Sequence, residues 1–328
     1  EQYLANYTSK SDDVTPFKEK IPLELIRCDR SSNSNSCGLV QLRHTTPPNL
    51  MYGRYFYRSG INQTMPKNLK EIVNQAISKI NLNSNDLVVD IGCNDGTLLQ
   101  NYKELSVKSI GFDPAKNLSV FSKKSGAIII TDFFSAEKFS ENFGVKKAKI
   151  ITSIAMFYDL EDPSKFVSDI SKTLDPDGIW ILELSYLPLM LNQNAFDTIV
   201  HEHLEYYDLF TIEFLLSKYE LKVIDVQLND MNGGSFRIFV QHQTKKIDEE
   251  SLKRINSIRE NEKKLKLDTN IPFNSFIEQI NNEKEKLLKF IQNEVDNGKT
   301  IHGYGASTKG NTLLQFYNLN NNLILNFF

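Results

Sequence analysis

Residues 87–99 constrain the fold of this chain more than any other stretch. They run Leu-Val-Val-Asp-Ile-Gly-Cys-Asn-Asp-Gly-Thr-Leu-Leu. Three apolar residues and an acid are typical of a parallel strand that is buried on both faces, and an apolar helical run is expected from Leu98. A strand, a glycine loop and the start of a helix together form a socket for a nucleotide-like cofactor.

The spacing of this loop narrows the choice of cofactor. It follows the pattern Asp-x-Gly-x-x-x-Gly from Asp90 to Gly96, whereas dinucleotide-binding loops follow Gly-x-Gly-x-x-Gly. The second tight glycine, on which a pyrophosphate lies, is missing, so the loop suits a cofactor that has no phosphates and ends in an amino acid. We therefore predict S-adenosylmethionine (SAM), bound through Asp90, Gly92, Asn94 and Gly96. An ordinary tight turn between a strand and a helix is the alternative.

Size and charge exclude several classes of protein. The chain has 328 residues, 40% of them apolar, which is enough for two or three domains. With a net charge of −3 and no long basic block, nucleic-acid binding is not indicated. No apolar run is as long as a membrane span and no secretory pattern opens the chain, so we expect a cytoplasmic protein without a membrane partner. The missing initial Met and the apolar run at 323–328 predict a fragment of a longer protein.

An alternation of strands and helices after residue 67 predicts a doubly wound sheet. The fifth strand is preceded by Asp-Pro-Asp-Gly at 175–178, which predicts a tight turn there. Five parallel strands finished by an antiparallel hairpin are the layout of the Rossmann-like class I methyltransferase fold. The expected elements are a helix from residue 68, strands at 87–91, 107–112, 127–131, 148–153 and 178–184, a helix at 163–174, and a strand pair at 221–228 and 235–241.

Two further strand ends carry candidate cofactor residues. Asp113 ends the second strand about twenty residues past the first glycine, where an acid holds a ribose diol. Asp132 and Phe133 follow the third strand, and an acid beside an aromatic ring suits an adenine. For Asp132, the cap of a helix N-terminus is the alternative.

The N-terminal segment and the last segment carry candidate binding sites of other kinds. Cys28 and Cys37 flank a polar loop, and a cysteine knuckle of this kind forms half of a four-thiolate zinc site; two free cysteines are the alternative. The aromatic stretch at 52–63 is either the floor of a substrate pocket or packing. Glycines, hydroxyls and a lysine at 303–310 predict an anion site for a substrate diphosphate, with a bare structural turn as the alternative.

The densest polar cluster follows the fifth strand and contains His201, Glu202 and His203. It is not the His-Glu-x-x-His zinc motif, because position 205 is Glu. A metal site lacks an evident third ligand, and a pair of hydrogen-bonded structural histidines is the other alternative. We favour general-base chemistry at the carboxyl edge of the sheet, by an imidazole that titrates near neutrality and is oriented by a carboxylate.

The chain resembles the bacterial nucleotide-sugar C-methyltransferases, which have an N-terminal zinc-binding domain, a central SAM domain and a C-terminal α/β domain. Two departures from that pattern stand out: the first cysteine pair of the zinc site is missing, and the last domain stops after about one strand–helix unit. The matching motifs are Cys-Gly-Leu-Val-Gln-Leu at 37–42, Tyr-Arg-Ser-Gly at 57–60, Asp-Ile-Gly-Cys-Asn-Asp-Gly at 90–96, Phe-Asp at 196–197 with His-Glu-His at 201–203, Asn-Gly-Gly-Ser-Phe-Arg at 232–237 and Gly-Tyr-Gly-Ala-Ser-Thr-Lys at 303–309.

The resemblance implies methylation of the carbon next to the ketone of a nucleoside-diphosphate 4-keto-deoxysugar, a reaction of bacterial deoxysugar biosynthesis. His203 would be the base, with Glu202 beside it and Tyr57 near the sugar. Sugar O-methylation and a non-catalytic nucleotide-sugar or zinc-binding module are the alternatives. The implied substrate contacts are His201, Asn232, Tyr304, Ser307 and Lys309.

The same resemblance implies four segments. They are an incomplete zinc-binding domain at 1–65, a methyltransferase domain at 66–243, a helical linker at 244–298 and the start of a truncated nucleotide-sugar-binding domain at 299–328. The linker is expected to be helical because apolar residues recur at near-heptad spacing between residues 276 and 295.

Overall fold

The computed structural model describes residues 2–3, 20–30, 33, 35–305, 307–320 and 322–327. Most of the first 19 residues of the predicted zinc-binding domain therefore lie outside the described residues, as does Phe328 in the predicted cut end. Contacts divide the chain into two compact units. Unit 1 comprises Glu1–Thr45, Tyr186–Asp208 and Asn261–Phe328, and unit 2 comprises Thr46–Ser185 and Leu209–Glu260. The four segments drawn from the sequence stay a prediction.

The strands and helices are given with their bounds in chain order. The strands are β1 (Gln2–Tyr3), β2 (Lys20–Ile21), β3 (Leu25–Arg27), β4 (Val40–Leu42), β5 (Leu87–Ile91), β6 (Lys108–Phe112), β7 (Ile128–Ile130), β8 (Ala148–Ile154), β9 (Leu174–Ser185), β10 (Glu205–Tyr206), β11 (Leu221–Asn229), β12 (Ser235–His242), β13 (His302–Gly303) and β14 (Asn326–Phe327). The helices are α1 (Pro48–Tyr52), α2 (Thr64–Lys79), α3 (Ser119–Ser122), α4 (Ala136–Phe143), α5 (Pro163–Thr173), α6 (Leu187–Asn192), α7 (Leu209–Ser217), α8 (Glu249–Leu265), α9 (Ile271–Asp296) and α10 (Thr308–Tyr317).

Unit 2 is built around a seven-stranded sheet in the order β7-β6-β5-β8-β9-β12-β11. The first five strands in this order are parallel, and β12 runs antiparallel to both β9 and β11. The predicted layout of five parallel strands finished by a hairpin is confirmed. Ile91 pairs with Phe112 on one side and with Ser153 on the other, so the carboxyl ends of β5, β6 and β8 lie at one edge.

The core of unit 2 explains why these residues form these elements. All five residues of β5 are buried, as a strand covered on both faces requires. Helix α2 turns its buried positions, among them Leu69, Ile72, Val73 and Ala76, to the sheet at helical spacing. Each such aliphatic side chain contributes about 1.5–3 kcal/mol when it is fully buried.

Two local predictions were wrong. In place of the helix expected from Leu98 there is a 3-10 turn at Leu99–Tyr102. The side-chain amide of Asn101 donates to the carbonyls of Thr97 and Leu98, which competes with a helical backbone. The turn expected at residues 175–178 is a bulge inside β9, because Ala148 pairs with Leu174 while Ile150 pairs with Ile179.

Unit 1 contains a small antiparallel sheet in the order β10-β4-β3 and a parallel pair of β13 with β14. Helix α10 lies between β13 and β14 in the chain, so the α/β unit predicted from residue 300 is present, and α9 confirms the predicted helical stretch. In the part of the chain that the structure describes, none of the helices combines the length and apolarity needed to span a bilayer. The buried side chains of this unit include Val40, Leu187, Met190, Phe196, Tyr206, Phe276, Ile280 and Tyr317.

Candidate active site

The loop after β5 has the backbone conformation that the glycine spacing predicts. Gly92 and Gly96 adopt φ of +72° and +79°, which glycine tolerates best. The N–H groups of Gly92 and Cys93 both donate to the carbonyl of Phe112, at 2.8 and 3.1 Å. A Cβ on Gly96 would lie 2.9 Å from Ser122 Cα, so this glycine is also required by a close approach of two backbones. The two left-handed glycines and these contacts therefore define the path of the loop.

Asp90 and Asp113 lie under and beside the loop. Asp90 is 4% exposed and accepts a hydrogen bond of 2.6 Å from Thr152 Oγ1, and burial raises its pKa to about 7. Its carboxyl group thus joins β5 to the neighbouring strand β8. The carboxylate of Asp113 accepts the N–H groups of Asn94 and Ala115 at 2.8 Å each, and burial raises its pKa against those two bonds. Each oxygen of Asp113 retains a second lone pair for a ribose hydroxyl.

Asp132 and Phe133 follow β7, and Phe133 is 38% exposed. The alternative that Asp132 caps a helix is wrong, because the cap of α4 is Ser135, whose hydroxyl accepts the N–H of Lys138. Asp132 instead forms an ion pair with Lys138, whose ammonium group lowers the pKa of the acid. The exposed ring of Phe133 offers a face for stacking.

Tyr57 and Asn232 also belong to unit 2. Tyr57 is 42% exposed, and burial of the rest of its side chain raises the pKa of its phenol. Its carbonyl accepts the side-chain N–H of Asn94 at 3.0 Å, which joins the segment of Tyr57 to the cofactor loop. Asn232 is exposed in the turn between β11 and β12, at φ +54°.

His203 lies in unit 1, where its Nδ1 is 2.8 Å from the carbonyl oxygen of Thr198. A carbonyl oxygen only accepts, so Nδ1 carries the proton and the basic lone pair of the neutral ring is on Nε2. Burial and the ammonium group of Lys309 both lower the pKa of His203, whereas the hydrogen bond to Thr198 raises it. The resulting pKa is about 4. The prediction of an imidazole that titrates near neutrality was therefore wrong, and the group that orients Nδ1 is a backbone carbonyl.

The neighbours of His203 in sequence have distinct environments. Burial raises the pKa of Glu202 to about 7, so its carboxyl group is partly protonated at neutral pH. His201 is 5% exposed, and its Nε2 donates to the carbonyl of Ile21 at 3.3 Å. Burial lowers the pKa of His201, and its contact with the N-terminal strand matches the structural alternative more closely than the substrate contact.

The three predicted substrate residues near the end of the chain surround the start of α10. Tyr304 is 98% exposed, and Ser307 caps α10 by accepting the N–H of Gly310 at 3.0 Å. Lys309 lies in the first turn of this helix, close enough to lower the pKa of His203. His203 and the ammonium group of Lys309 are thus close enough in unit 1 to interact, although they are far apart in the sequence.

Cys28 and Cys37 share a hydrogen bond between their side chains, and the N–H of Gly38 lowers the pKa of the Cys28 thiol. Within the described residues, however, no group of three or more histidine, cysteine, aspartate or glutamate side chains is arranged to bind a metal ion. Two thiols do not complete the tetrahedral set that zinc requires. The predicted zinc site and zinc ribbon are therefore not supported.

Comparisons with known proteins match two domain models to this chain. A model of the methyltransferase domain matches residues 61–226, about half of the chain, and a model of the C-methyltransferase C-terminal domain matches residues 230–327. The chain belongs to the SAM-dependent methyltransferases.

One curated relative and two solved structures are similar to this chain. The C-methyltransferase NovU of Streptomyces niveus is 28% identical over 314 residues, which is 95% of this chain and 72% of the relative. The cyclopropane synthase MmaA2 of Mycobacterium tuberculosis has a TM-score of 0.42 at 16% identity, over 53% of this chain and 69% of that one. Magnesium protoporphyrin IX methyltransferase of Synechocystis PCC 6803 has a TM-score of 0.44 at 12% identity, over 56% of this chain and 89% of that one.

The residues of this methyltransferase fit SAM. Both glycines of the loop at Gly92–Gly96 are left-handed, Asp113 keeps acceptor capacity for a ribose, and Phe133 exposes a ring for an adenine. When it is bound, SAM supplies an electrophilic methyl group on a sulfonium.

Sequence reasoning missed a buried network in this methyltransferase. The carboxylate of Glu183 accepts Arg237 Nε and Asn229 Nδ2 at 2.8 Å each, and Arg237 Nη2 donates to Asn68 Oδ1 at 2.8 Å. Glu183 and Arg237 are 3% and 2% exposed. The signal was an acid inside the apolar run Trp-Ile-Leu-Glu-Leu of the fifth strand, since buried charges are nearly always paired.

Proposed function

We propose that this methyltransferase transfers the methyl group of SAM to the carbon next to the ketone of a nucleoside-diphosphate 4-keto-deoxysugar. The match to the C-methyltransferase domain and the similarity to NovU support a carbon acceptor. A proton on a carbon next to a ketone is far more acidic than an ordinary C–H, which makes such a carbon a chemically reasonable nucleophile once a base is available. The sugar class rests on the six motifs that resemble the nucleotide-sugar enzymes.

The single observation that carries the proposed mechanism is the environment of His203. Its Nδ1–H is committed to Thr198, so Nε2 is the atom that would accept the proton. With a pKa of about 4, the ring is neutral, and therefore in the form a base needs, at any pH from about 5 upwards. A base this weak removes the proton only if the enolate oxygen is stabilised at the same time.

Three other residues have proposed roles in the reaction. Glu202, which is partly protonated at neutral pH, has a proton with which to hydrogen-bond a developing enolate oxygen. Tyr57 offers a phenol that stays protonated, because burial raises its pKa. Lys309, with the N-terminus of α10, is suited to a diphosphate, because backbone N–H groups and a cation both favour an anion there.

The test is to incubate the protein with SAM carrying a 13C methyl group and a panel of nucleoside-diphosphate 4-keto sugars. We expect the label on a ring carbon, which carbon NMR separates from a methyl ether by chemical shift. A methyl ether would establish O-methylation and overturn the proposal, and so would the absence of transfer to every member of a panel that spans the 4-keto-deoxysugars.

His203→Asn tests the base. Asn places an amide N–H where Nδ1 lies and has no basic nitrogen, so exchange of the sugar C–H with deuterated water should fall by about 100-fold or more. SAM binding should persist, as measured by calorimetry. The exposed residue His44 gives the control variant His44→Asn, in which exchange should stay at the wild-type rate. Wild-type exchange in His203→Asn would assign the base to another residue.

A further inference from the structure

The segment that carries Tyr57 is held by side chains of the cofactor-binding loops. We call residues 55–60 the strap; they have no regular secondary structure. The amide of Asn117 makes two bonds to Tyr55, accepting its N–H at 3.0 Å and donating to its carbonyl at 2.7 Å. Asn117 follows β6, the strand that ends in the ribose-binding candidate Asp113.

A second asparagine makes an equivalent pair of bonds further along the strap. Asn94 Nδ2 donates to the carbonyl of Tyr57 at 3.0 Å, and Asn94 Oδ1 accepts the N–H of Ser59 at 3.0 Å. The side-chain amide thereby takes the place of a peptide group on a neighbouring strand, binding residues i and i+2 of an extended segment. Asp95 Oδ2 adds a third attachment by accepting the N–H of Gly60 at 3.0 Å.

The end of the strap packs closely against the loop after β5. A Cβ on Gly60 would lie 2.8 Å from Thr97 Oγ1 and 3.0 Å from Asp95 Oδ2. The guanidinium of Arg58 lies 3.7 Å from the centre of the Phe121 ring and 3.6 Å, at Nε, from Asp95 Oδ2. The strap is therefore attached to the two loops at Tyr55, Tyr57, Ser59 and Gly60.

The backbone of Asn94 connects the strap to Asp113, the candidate ribose-binding residue. Its N–H donates to Asp113 Oδ2 at 2.8 Å, and its φ of +51° directs the side chain to the strap. Any ligand that orders Asp113 and this loop therefore also orders the carbonyl of Tyr57, because one residue bonds to both.

We propose that Asn94 and Asn117 are positioning residues that couple occupation of the SAM site to the placement of Tyr57. The proposal rests on the proposed function only in giving Tyr57 a role near the sugar. In the free protein the strap exchanges between attached and detached states; when the cofactor is bound, the loops hold it in the attached state. The sugar then meets a Tyr57 that is already in place.

The test is hydrogen–deuterium exchange of the amides of residues 55–60, with and without S-adenosylhomocysteine (SAH) as the probe. In the wild type, we expect SAH to slow exchange of the amides of Tyr55, Ser59 and Gly60 by about tenfold or more. Detachment of the strap breaks one or two hydrogen bonds, and their free energy corresponds to a slowing of about this size. This experiment contains no sugar, so its outcome is independent of the substrate class.

Variants at Asn94 separate positioning from folding. Asn94→Gly keeps the left-handed backbone and removes both side-chain bonds to the strap, together with the bond that Asn94 Oδ1 accepts from the N–H of Asp95. Asn94→Asp keeps the acceptor for Ser59 but loses the donor to Tyr57. In Asn94→Gly, SAH should fail to slow exchange of Ser59 even at concentrations that saturate the variant, as calorimetry establishes. Asn94→Asp should retain protection at Ser59. The control Asn101→Ala removes side-chain bonds to Thr97 and Leu98 and leaves the strap bonds intact, so it should behave as wild type.

Kinetics provide the readout that a merely structural role would not change. Asn117→Ala should lower kcat by about tenfold or more while KM for SAM changes by less than about threefold. The proposal is overturned if SAH leaves exchange of the strap unchanged in the wild type, if Asn94→Gly retains full protection, or if Asn117→Ala raises KM for SAM with kcat intact. If transfer to the sugar panel fails but the exchange result holds, the substrate class is wrong and the coupling stands.

Discussion

His203 and Thr198 are joined by a hydrogen bond of 2.8 Å from Nδ1 to the main-chain carbonyl. This bond selects the tautomer with the lone pair on Nε2, because a proton held on one ring nitrogen of a neutral imidazole leaves the other nitrogen as the acceptor. Burial and Lys309 disfavour the charged ring, while the bond to Thr198 partly opposes them. Because folding lowers the pKa of His203, the free energy of unfolding depends on pH in the range where this histidine titrates.

The first prediction concerns the stability of the protein at acid pH. The pKa of His203 is about 4 when folded against 6.5 as its ordinary value, so the unfolded chain binds more protons between these pH values. The free energy of unfolding should therefore decrease as the pH falls from about 6.5 to 4, with a contribution from His203 of about 2–3 kcal/mol. Urea unfolding of the wild type and of His203→Asn at pH 7 and pH 4.5 measures it. Equal losses in the two proteins would show that His203 does not contribute.

The second prediction concerns Glu202, for which the sign is opposite. Burial raises its pKa from 4.5 to about 7, so the folded chain binds more protons than the unfolded chain between these values. Stability should fall as the pH rises through this window, because the charged carboxylate is desolvated. Glu202→Gln should then raise the free energy of unfolding at pH 8 by about 1–3 kcal/mol and change it little at pH 4. A variant that is less stable than wild type at pH 8 would contradict the prediction.

The strands of unit 2 were predictable because each is a short apolar run with turn residues on either side. The loop at Gly92–Gly96 was predictable because its glycines are required by positive φ and by the approach of Ser122. The two errors also have local causes. The side chain of Asn101 competes with the backbone of the expected helix, and a bulge in β9 opposite Lys149 stands in place of the expected turn.

The rest of the site depends on contacts that no local pattern encodes. Glu183 and Arg237 are 54 residues apart, and Tyr55 and Asn117 are 62 apart. The low pKa of His203 requires a lysine 106 positions further along the chain, since it lies at position 309. The grouping of Tyr186–Asp208 with unit 1, directly after a strand of unit 2, likewise depends on tertiary packing.

The third prediction compares two glycines with nearly the same backbone conformation. Gly96 has φ +79° and Gly126 has φ +83°, but a Cβ on Gly126 meets nothing within 4 Å, whereas one on Gly96 meets the backbone of Ser122 at 2.9 Å. Gly126→Ala should cost about 1 kcal/mol of stability, from backbone strain alone. Gly96→Ala should cost about 3 kcal/mol and weaken SAM binding, because the loop has to move. Thermal unfolding and calorimetry with SAH check both, and equal effects of the two variants would mean that the close approach is relieved at no cost.

The fourth prediction concerns the buried pair of Glu183 and Arg237. Arg237→Met leaves the carboxylate of Glu183 with two asparagine amides and no cation, so it should destabilise the fold by about 3–5 kcal/mol. Adding Glu183→Gln to this variant removes the uncompensated charge and should restore part of the loss. Urea unfolding of the two single variants and the double variant gives the coupling free energy directly.

An exposed pair is the matched control for this cycle. Arg259 and Glu213 also form a two-point contact, at 3.1 and 2.5 Å, but their side chains are 48% and 25% exposed. Arg259→Met should therefore cost less than about 1 kcal/mol, because water already screens the pair. If Arg237→Met cost no more than Arg259→Met, burial of the guanidinium among Glu183, Glu71 and Asn68 would not hold α2 and the hairpin to β9. A large coupling free energy at Glu183 and a small one at Glu213 would show that desolvation, rather than the number of hydrogen bonds, makes this network important for the fold.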